Sequence, residues 1–275
     1  MTSTYLTSKK IGFIGTGKMG EALIKGILHS RLVPPSNIYA SDLDYVKLQL
    51  MEKDYGIIAC EDNCDTVEKS DIIIIAVKPN IVPVVLEEIK ESLKNRLIIS
   101  IAAGVSIDTY ENALPAGTKV MRVMPNIAAT VKEAVSSICL GTAVSREDTD
   151  VAVAVFNAIG RTVILPEHLM DAVTGLSGSG PAYIFMIIEA LADGGVHEGL
   201  DRKTARLLAA QTVLGAAKMV LDDGTHTADL KDMVTSPGGT TIRGIRVMEQ
   251  YGVRVAMMNA VIAASERSRE LGKKS

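Results

Sequence analysis

The sequence has no tryptophan and only three cysteines and four histidines among its 275 residues. An odd set of cysteines, Cys60, Cys64 and Cys139, does not pair completely within one chain and is typical of the reducing cytoplasm. Cys60 and Cys64 have no second pair to complete a metal site, and the histidines are scattered along the chain. We therefore expect a cytoplasmic protein that holds no metal.

An excess of basic charge and a long apolar run are also missing. The net charge is −3 at pH 7, and no basic stripe with interleaved aromatic residues predicts nucleic-acid binding. The polar first ten residues lack the apolar core of a secretory signal. The longest apolar run, Ile72–Val77, is too short to cross a bilayer and is typical of a buried strand. We expect small charged metabolites as partners, with no nucleic acid and no membrane.

Segments rich in β-branched residues alternate with helical segments such as Lys18–Leu28 and Leu43–Lys53 in the first part of the chain. This alternation predicts right-handed βαβ crossovers and a Rossmann-like, doubly wound, mainly parallel sheet. The predicted strands are Ile11–Ile14, Ile38–Ala40, Ile72–Ala76, Leu97–Ile101 and Lys119–Val123, extended by Val135–Leu140 and Thr162–Leu165.

The pattern changes after Pro166, because long segments rich in Ala, Leu and Met replace the strands. The predicted helices are Ala182–Gly194, Arg202–Asp222 and a stretch from about Ile242 to Arg269. We predict a domain boundary between residues 166 and 167. The second helix is apolar around much of its circumference, which indicates burial in a core or in a subunit interface.

A GxGxxG motif follows the first predicted strand and opens a helix. Gly15 permits the tight turn, Gly17 lets the backbone approach a pyrophosphate, and Gly20 permits close packing of helix on strand. This context predicts a dinucleotide-binding loop. Its other residues, expected to touch the cofactor, are Thr16, Lys18 and Met19.

The end of the second predicted strand bears on which dinucleotide binds. Asp42 is placed to accept the ribose hydroxyls of NADH, and no arginine follows it to hold a 2′-phosphate. Ser41 and Lys47 offer an alternative site for the phosphate of NADPH. Asp42 is equally explained as the cap of a helix that starts at Leu43. The choice between NADPH and NADH stays open at this point.

Three short turns follow later strands of the predicted sheet. They contain Val77 to Pro79, Ala102 with Ala103, and Pro125 with Asn126. Ligands of open parallel sheets lie beyond the carboxyl ends of the strands. The three turns therefore outline one crevice.

The stretch "TSPGGTTIRG", residues 235–244, places a proline and two glycines where a helix is expected to begin. One explanation is a turn followed by a side-chain cap from Ser236, Thr240 or Thr241. The other is an anion site, because unpaired N–H groups at a helix start attract negative charge. The local sequence is compatible with both.

Taken together, the motifs identify a family resemblance. In chain order they are "GFIGTGKMGEALIKG", "AVKP", "MPN", "LSGSGPAYIF" and "SPGGTT". The chain resembles the pyrroline-5-carboxylate reductase family over nearly its whole length. This resemblance implies reduction of the C=N bond of 1-pyrroline-5-carboxylate by NADPH or NADH to give L-proline, the last step of proline biosynthesis. Residues 1–166 would be the dinucleotide-binding domain and residues 167–275 the helical substrate and dimerisation domain.

The resemblance also implies roles for individual residues. Thr241 would hydrogen-bond the ring nitrogen and act as the catalytic residue. The residues implied for the substrate carboxylate are Ser236, Gly239, Thr240 and Thr241, and those beside the nicotinamide and its ribose are Val77, Lys78, Pro79, Ala102 and Ala103. Asn63 would meet the adenosine. The family builds its active site between the dinucleotide domain of one subunit and helices of its neighbour, which implies a dimer or a ring of dimers up to a decamer.

Two alternatives are retained. A β-hydroxyacid dehydrogenase-like reductase would need a catalytic lysine in the helical domain, for which Lys203 and Lys218 are the candidates. Neither has a glycine-rich polar setting. A non-catalytic NAD(P)-binding protein would be expected to lose the hydroxyls of "SPGGTT", which this sequence keeps.

Overall fold

The computed structural model describes residues 6–272. Its strands are β1 (Ile11–Ile14), β2 (Ile38–Ser41), β3 (Ile58–Ala59), β4 (Ile72–Ile75), β5 (Leu97–Ser100), β6 (Lys119–Met124), β7 (Ala134–Leu140) and β8 (Gly160–Ile164). They form one sheet in the order β3-β2-β1-β4-β5-β6-β7-β8. Neighbouring strands are parallel except β6 and β7, which run antiparallel. The predicted doubly wound, mainly parallel sheet is confirmed.

The helices packed with this sheet are α1 (Lys18–His29), α2 (Tyr45–Tyr55), α3 (Asn63–Glu68), α4 (Val82–Ile89), α5 (Ile107–Ala113), α6 (Arg146–Asn157) and α7 (Met170–Val173). Strands β1, β4 and β5 are buried along their whole length, as expected of parallel strands covered on both faces. One core contains Phe13 and Phe156, and a second contains Leu86 and Tyr110. The sheet is therefore held between two apolar layers.

The later helices are α8 (Gly180–His197), α9 (Arg202–Asp223), α10 (Thr227–Met233), α11 (Thr240–Gln250) and α12 (Val253–Gly272). The predicted helical second part is confirmed, but the single helix expected from Ile242 to Arg269 is wrong. Two helices replace it, because Gly252 between them has a φ of +68°. This left-handed conformation ends α11 before α12 begins.

The end of β2 also differs from the expectation. Helix α2 starts at Tyr45, and the Asp44 side chain caps it by accepting a hydrogen bond from the backbone N–H of Lys47. The interpretation of Asp42 as the cap of a helix from Leu43 is therefore wrong. Strand β3 was not predicted, because two residues are too short to show any periodicity.

By their internal contacts the described residues divide into two compact units. The first runs to Gly178 and takes in the chain again from Ala264, and it contains the whole sheet. The second, Ser179–Ala263, is helical. The buried Arg122 of β6 donates to Glu167 at 2.9 Å, which fastens the start of the following segment to the sheet. The domain boundary after residue 166 stays a prediction.

In the second unit, α8 and α9 pack through small side chains, with Ala192 against Ala205 and Ala209. Most of the larger apolar side chains on these helices face outward. On α9, the exposed fractions of Leu207, Leu214 and Leu221 are 67%, 50% and 56%. Their seven-residue spacing places them on one face of the helix. We call these three residues the leucine seam.

Candidate active site

The glycine loop after β1 has the geometry of a phosphate cradle. Gly15 has a φ of +92°, and a Cβ on it would lie 2.9 Å from the carbonyl oxygen of Ala76. A Cβ on Gly20 would lie 2.6 Å from the carbonyl oxygen of Gly15. At Gly17 no atom lies within 4 Å of a Cβ, so the backbone there is open. Gly15 and Gly20 are required by the fold, whereas Gly17 leaves room for a ligand.

Helix α1 begins directly at this loop, with Gly17 as its N-cap residue. No side chain among the described residues caps this helix start. Its first N–H groups are therefore available to an anion, and the helix dipole favours negative charge at the same place. Lys18 is exposed beside the loop, and Met19 packs partly against the core. These residues fit the pyrophosphate of a dinucleotide.

Asp42, at the end of β2, is bound to the glycine loop. Its Oδ2 accepts from the backbone N–H of Thr16 at 2.5 Å and from the Thr16 hydroxyl at 2.7 Å, and its Oδ1 accepts from the N–H of Asp44 at 2.9 Å. Burial raises the pKa of Asp42, but the hydrogen bonds from Asp44 and Thr16 outweigh burial and hold this pKa below its ordinary value. The nearby charge of Lys47 acts in the same direction. Asp42 is therefore an anion whose oxygens already have donors.

Ser41 and Asn63 meet beside this carboxylate. The hydroxyl of Ser41 donates to Oδ1 of Asn63 at 2.8 Å. Nδ2 of Asn63 donates to Glu88 at 2.6 Å. The structure thus brings Asn63, the first residue of α3, to the end of β2.

The turns after β4 and β5 leave the sheet side by side. Ile75 pairs with Ser100, so Val77 and Ala102 lie at the same level two residues further on. Lys78, Pro79 and Ala103 in these turns are exposed, and Val77 is half-buried. The predicted crevice residues of these two strands are therefore neighbours at one edge of the sheet.

Tyr110 of α5 contacts the end of β5 at this edge. This contact was not predicted from the sequence. The Tyr110 hydroxyl forms a short hydrogen bond with the hydroxyl of Ser100, whose oxygen also accepts from the N–H of Ala102 at 3.2 Å. Burial raises the pKa of Tyr110 to about 12, so the phenol stays protonated. A buried tyrosine in a helical stretch carries no sequence signal for this contact.

Asn126 links the end of β6 to the glycine-serine turn. Its Nδ2 donates to the carbonyl oxygen of Ser177 at 3.0 Å. Ser177 lies in a π-helical turn, Thr174–Gly178, a geometry that is frequent at functional sites. The motif "MPN" and the first residue of "SGSGP" therefore meet within the first unit.

The segment before α11 forms a tight turn. The N–H of Gly239 donates to the carbonyl oxygen of Ser236 at 3.1 Å. Pro237 occupies the second position of the turn, and Gly238 the third with a φ of +70°, which is the pattern of a type II turn. A Cβ on Gly239 would collide with the hydroxyl oxygen of Ser236. The Ser236 hydroxyl therefore lies against the start of α11.

Helix α11 begins without a side-chain cap. Its N-cap residue is Gly239, and no side chain of the described residues accepts a hydrogen bond from the first N–H groups. The explanation of Ser236, Thr240 or Thr241 as a capping side chain is therefore wrong. The uncapped N–H groups, the Ser236 hydroxyl and the first-turn residues Thr240 and Thr241 come together at one helix start in the second unit.

Two other kinds of site concern metal ligands and a catalytic lysine. Between residues 6 and 272, no group of three or more His, Cys, Asp and Glu side chains is placed to hold a metal ion. The candidate lysines of a hydroxyacid dehydrogenase, Lys203 and Lys218, are both exposed on α9.

Comparisons with known proteins point to one enzyme family. Residues 167–271 match a family model described as pyrroline-5-carboxylate reductase dimerisation, and residues 10–104 match one described as NADP oxidoreductase, coenzyme F420-dependent. A pyrroline-5-carboxylate reductase of Methanosarcina acetivorans is 57% identical over 98% of this chain and 100% of its own length. The structure of a pyrroline-5-carboxylate reductase from Coxiella burnetii is similar with a TM-score of 0.91 and 34% identity, covering 96% of this chain and 98% of that one.

A second solved structure carries a cofactor. The pyrroline carboxylate reductase of Plasmodium falciparum, with NADP bound, is similar with a TM-score of 0.87 and 34% identity over 97% of this chain and 99% of that one. The similarity in these cases extends through both compact units rather than through the glycine loop alone.

Proposed function

The chain belongs to the pyrroline-5-carboxylate reductase family, and we propose that it carries out the family's reaction with the two groups of residues placed above. It is an NADP-dependent oxidoreductase that reduces the C=N bond of 1-pyrroline-5-carboxylate to give L-proline. When bound, the cofactor supplies the hydride. The protein has to bind and orient the two reactants and to hold a proton donor near the ring nitrogen.

For the cofactor, we propose the crevice of the first unit. The open backbone at Gly17 and the start of α1 hold the pyrophosphate, and Ser41 with Asn63 meets the adenosine. The turns after β4 and β5, with Ala102 held by Ser100, lie beside the nicotinamide. The geometry that supports this assignment is the shared edge at which these turns leave the sheet.

Replacing Gly17 with alanine tests this crevice. The fold should be unaffected, because the new Cβ faces open space. The Kd for NADPH, measured by fluorescence titration, should rise about tenfold because the methyl group keeps the pyrophosphate from the backbone. Gly20→Ala is the control for a change that affects the fold. Its new Cβ would collide with the carbonyl oxygen of Gly15, so this variant should have a lower melting temperature. An unchanged Kd in Gly17→Ala would contradict the assignment.

For the substrate, we propose the start of α11. The carboxylate of 1-pyrroline-5-carboxylate accepts hydrogen bonds from the uncapped N–H groups and from the hydroxyls of Ser236 and Thr240, as anions do at helix starts. Thr241 in the first helical turn donates to the ring nitrogen. The observation that carries this proposal is the absence of any side-chain cap on α11 within the described chain.

The reaction itself is tested by the loss of nicotinamide absorbance. The purified protein is given 1-pyrroline-5-carboxylate with NADPH and, separately, with NADH, beside a panel of hydroxy and keto acids. Oxidation of the cofactor with the imine alone is expected. Turnover of a hydroxy acid in place of the imine would favour the dehydrogenase alternative, and cofactor binding without any turnover would favour the non-catalytic one.

The chain self-associates through its dimerisation domain, and we propose that the dimers assemble further into a ring, up to a decamer, in the cytoplasm. Apolar side chains exposed on both α8 and α9, such as Phe185 and the leucine seam, support more than one subunit contact. The segment Glu167–His197 is also long and apolar enough to cross a membrane, by length and composition, with little of it buried within the chain. Subunit contacts account for that exposure without a membrane.

Replacing Leu214 with aspartate in the middle of the leucine seam should weaken self-association. A charge cannot be buried there without a partner, so the assembly should shift toward smaller species in sedimentation velocity. Thr212→Asp, exposed and turned away from the seam on the same helix, is the matched control and should leave the sedimentation coefficient unchanged. Equal behaviour of the two variants would exclude the seam from the interface.

A further inference from the structure

The end of β2 is acidic, although a family relative of solved structure has NADP bound. Asp42 and Asp44 follow Ser41, and no arginine stands between or beside them. A free carboxylate at this position accepts the hydroxyls of an unphosphorylated ribose and repels a 2′-phosphate. Acceptance of NADPH by this chain therefore needs a positive charge from elsewhere.

Two observations show that Asp42 is not a free carboxylate. All three of its hydrogen bonds come from the protein itself, two of them from Thr16 of the glycine loop. Thr16 is fully buried, so this attachment is shielded from water. Three of the roughly four acceptor sites of this carboxylate are thus filled by the protein, which leaves Asp42 little capacity to accept ribose hydroxyls.

A positive charge that contacts this loop from outside the motif belongs to Lys47, in the first turn of α2. Its Nζ makes a short hydrogen bond to the carbonyl oxygen of Thr16, the residue that also binds Asp42. The same Nζ lies 3.4 Å from Oε2 of Glu21 on α1. About a third of the Lys47 side chain is exposed, so the protein does not enclose this side chain.

Glu21 does not depend on Lys47 for its charge balance. Its Oε1 pairs with Lys25 at 2.8 Å and accepts from the hydroxyl of Tyr55 at 3.3 Å. The hydrogen bond from Lys25 is the main cause of the lowered pKa of Glu21. Glu21 therefore keeps Lys25 as its ion-pair partner when the Lys47 ammonium moves away.

We propose that Lys47 determines the preference for NADPH over NADH, by moving its ammonium from Glu21 to the 2′-phosphate of the bound cofactor. The inference rests on the proposed cofactor crevice and adds to it a residue that selects between the two cofactors. Asp42 keeps its bonds to Thr16 throughout and therefore does not compete for the ribose. Glu21 serves as the resting partner of Lys47 when no 2′-phosphate is present.

The test compares Lys47→Met with Lys25→Met. Both remove a lysine paired with Glu21, but only Lys47 also contacts Thr16. Affinities for 2′,5′-ADP and 5′-AMP are measured by calorimetry, and kcat/KM for NADPH and for NADH is measured with the imine. Lys47→Met should weaken 2′,5′-ADP about tenfold more than 5′-AMP and lower the NADPH-to-NADH ratio of kcat/KM about tenfold. Lys25→Met should change neither, and Lys47→Arg should keep the wild-type ratio.

A ratio for Lys47→Met within twofold of the wild type, or an equal fall in Lys25→Met, would overturn the proposal. Salt gives a second measurement on the unmodified enzyme, because a charge contact that is partly exposed is screened. The affinity for 2′,5′-ADP should fall more steeply with ionic strength than the affinity for 5′-AMP, and equal slopes would count against Lys47. Reduction of the imine with NADH by these variants tests the proposed function separately.

Discussion

Thr241→Ala is expected to lower kcat/KM for 1-pyrroline-5-carboxylate about 100-fold, the lower end of what a positioned proton donor contributes. The hydroxyl lost is the one proposed to donate to the ring nitrogen from the first turn of α11. The Kd for NADPH should stay the same, because the glycine loop belongs to the other compact unit of the chain. Steady-state kinetics and a fluorescence titration of the same preparation measure the two quantities.

Thr241→Ser separates the hydroxyl from the rest of the side chain. It should keep kcat/KM within a few-fold of the wild type, because it retains the donor and loses only a methyl group. Ser236→Ala should mainly raise KM, since its hydroxyl is proposed for the carboxylate and not for the reacting nitrogen. Near wild-type kinetics in Thr241→Ala would assign the proton to water and leave Thr241 a structural residue.

Gly160→Ala is expected to lower the free energy of unfolding by about 3 kcal/mol or more, a value typical of backbone strain combined with a steric clash. Gly160 begins β8 with a φ of +151°, and a Cβ on it would overlap the backbone of Ala134 in the neighbouring strand β7. The two strands cannot keep their register unless one of them moves. Urea unfolding followed by circular dichroism measures the change.

Gly117→Ala separates strain from the clash. Gly117 also has a positive φ, +82°, but no atom lies within 4 Å of the Cβ that alanine would add. Its cost should therefore be about 1 kcal/mol, the strain alone. If the two variants were equally destabilised, the contact with Ala134 would not be the cause.

Local periodicity explains which parts of the fold were predictable. The run of four isoleucines in β4 indicates a strand buried on both faces, and the structure places it at the centre of the sheet. The break between α11 and α12 was missed because the helical pattern continues on both sides of Gly252, and a single glycine does not always end a helix. Its positive φ shows itself only in the folded chain.

The candidate site also has parts that the sequence could locate and contacts that it could not. The rule that ligands lie beyond the carboxyl ends of parallel strands located the turns after β4 and β5 from sequence. The hydrogen bond from Asn126 to Ser177 joins residues that are far apart in the chain, and no local sequence pattern predicts such a contact. The sequence offered Asp42 as a ribose ligand or as a helix cap, and the structure excludes the cap. The attachment of Asp42 to Thr16 depends on the curvature of the glycine loop, which spacing alone does not give.

The leucine seam of α9 has a consequence for the kinetics of refolding and assembly. Three leucines on one helical face stay in water as long as a chain is alone, and their burial contributes roughly 25 cal/mol for each Å² removed from solvent. Because the seam is proposed to lie in the subunit interface, most of that gain should arise only when two chains associate. The final phase of refolding should therefore be second order, slowing as the chains are diluted, while the sheet-containing unit folds at a rate set by its own sequence.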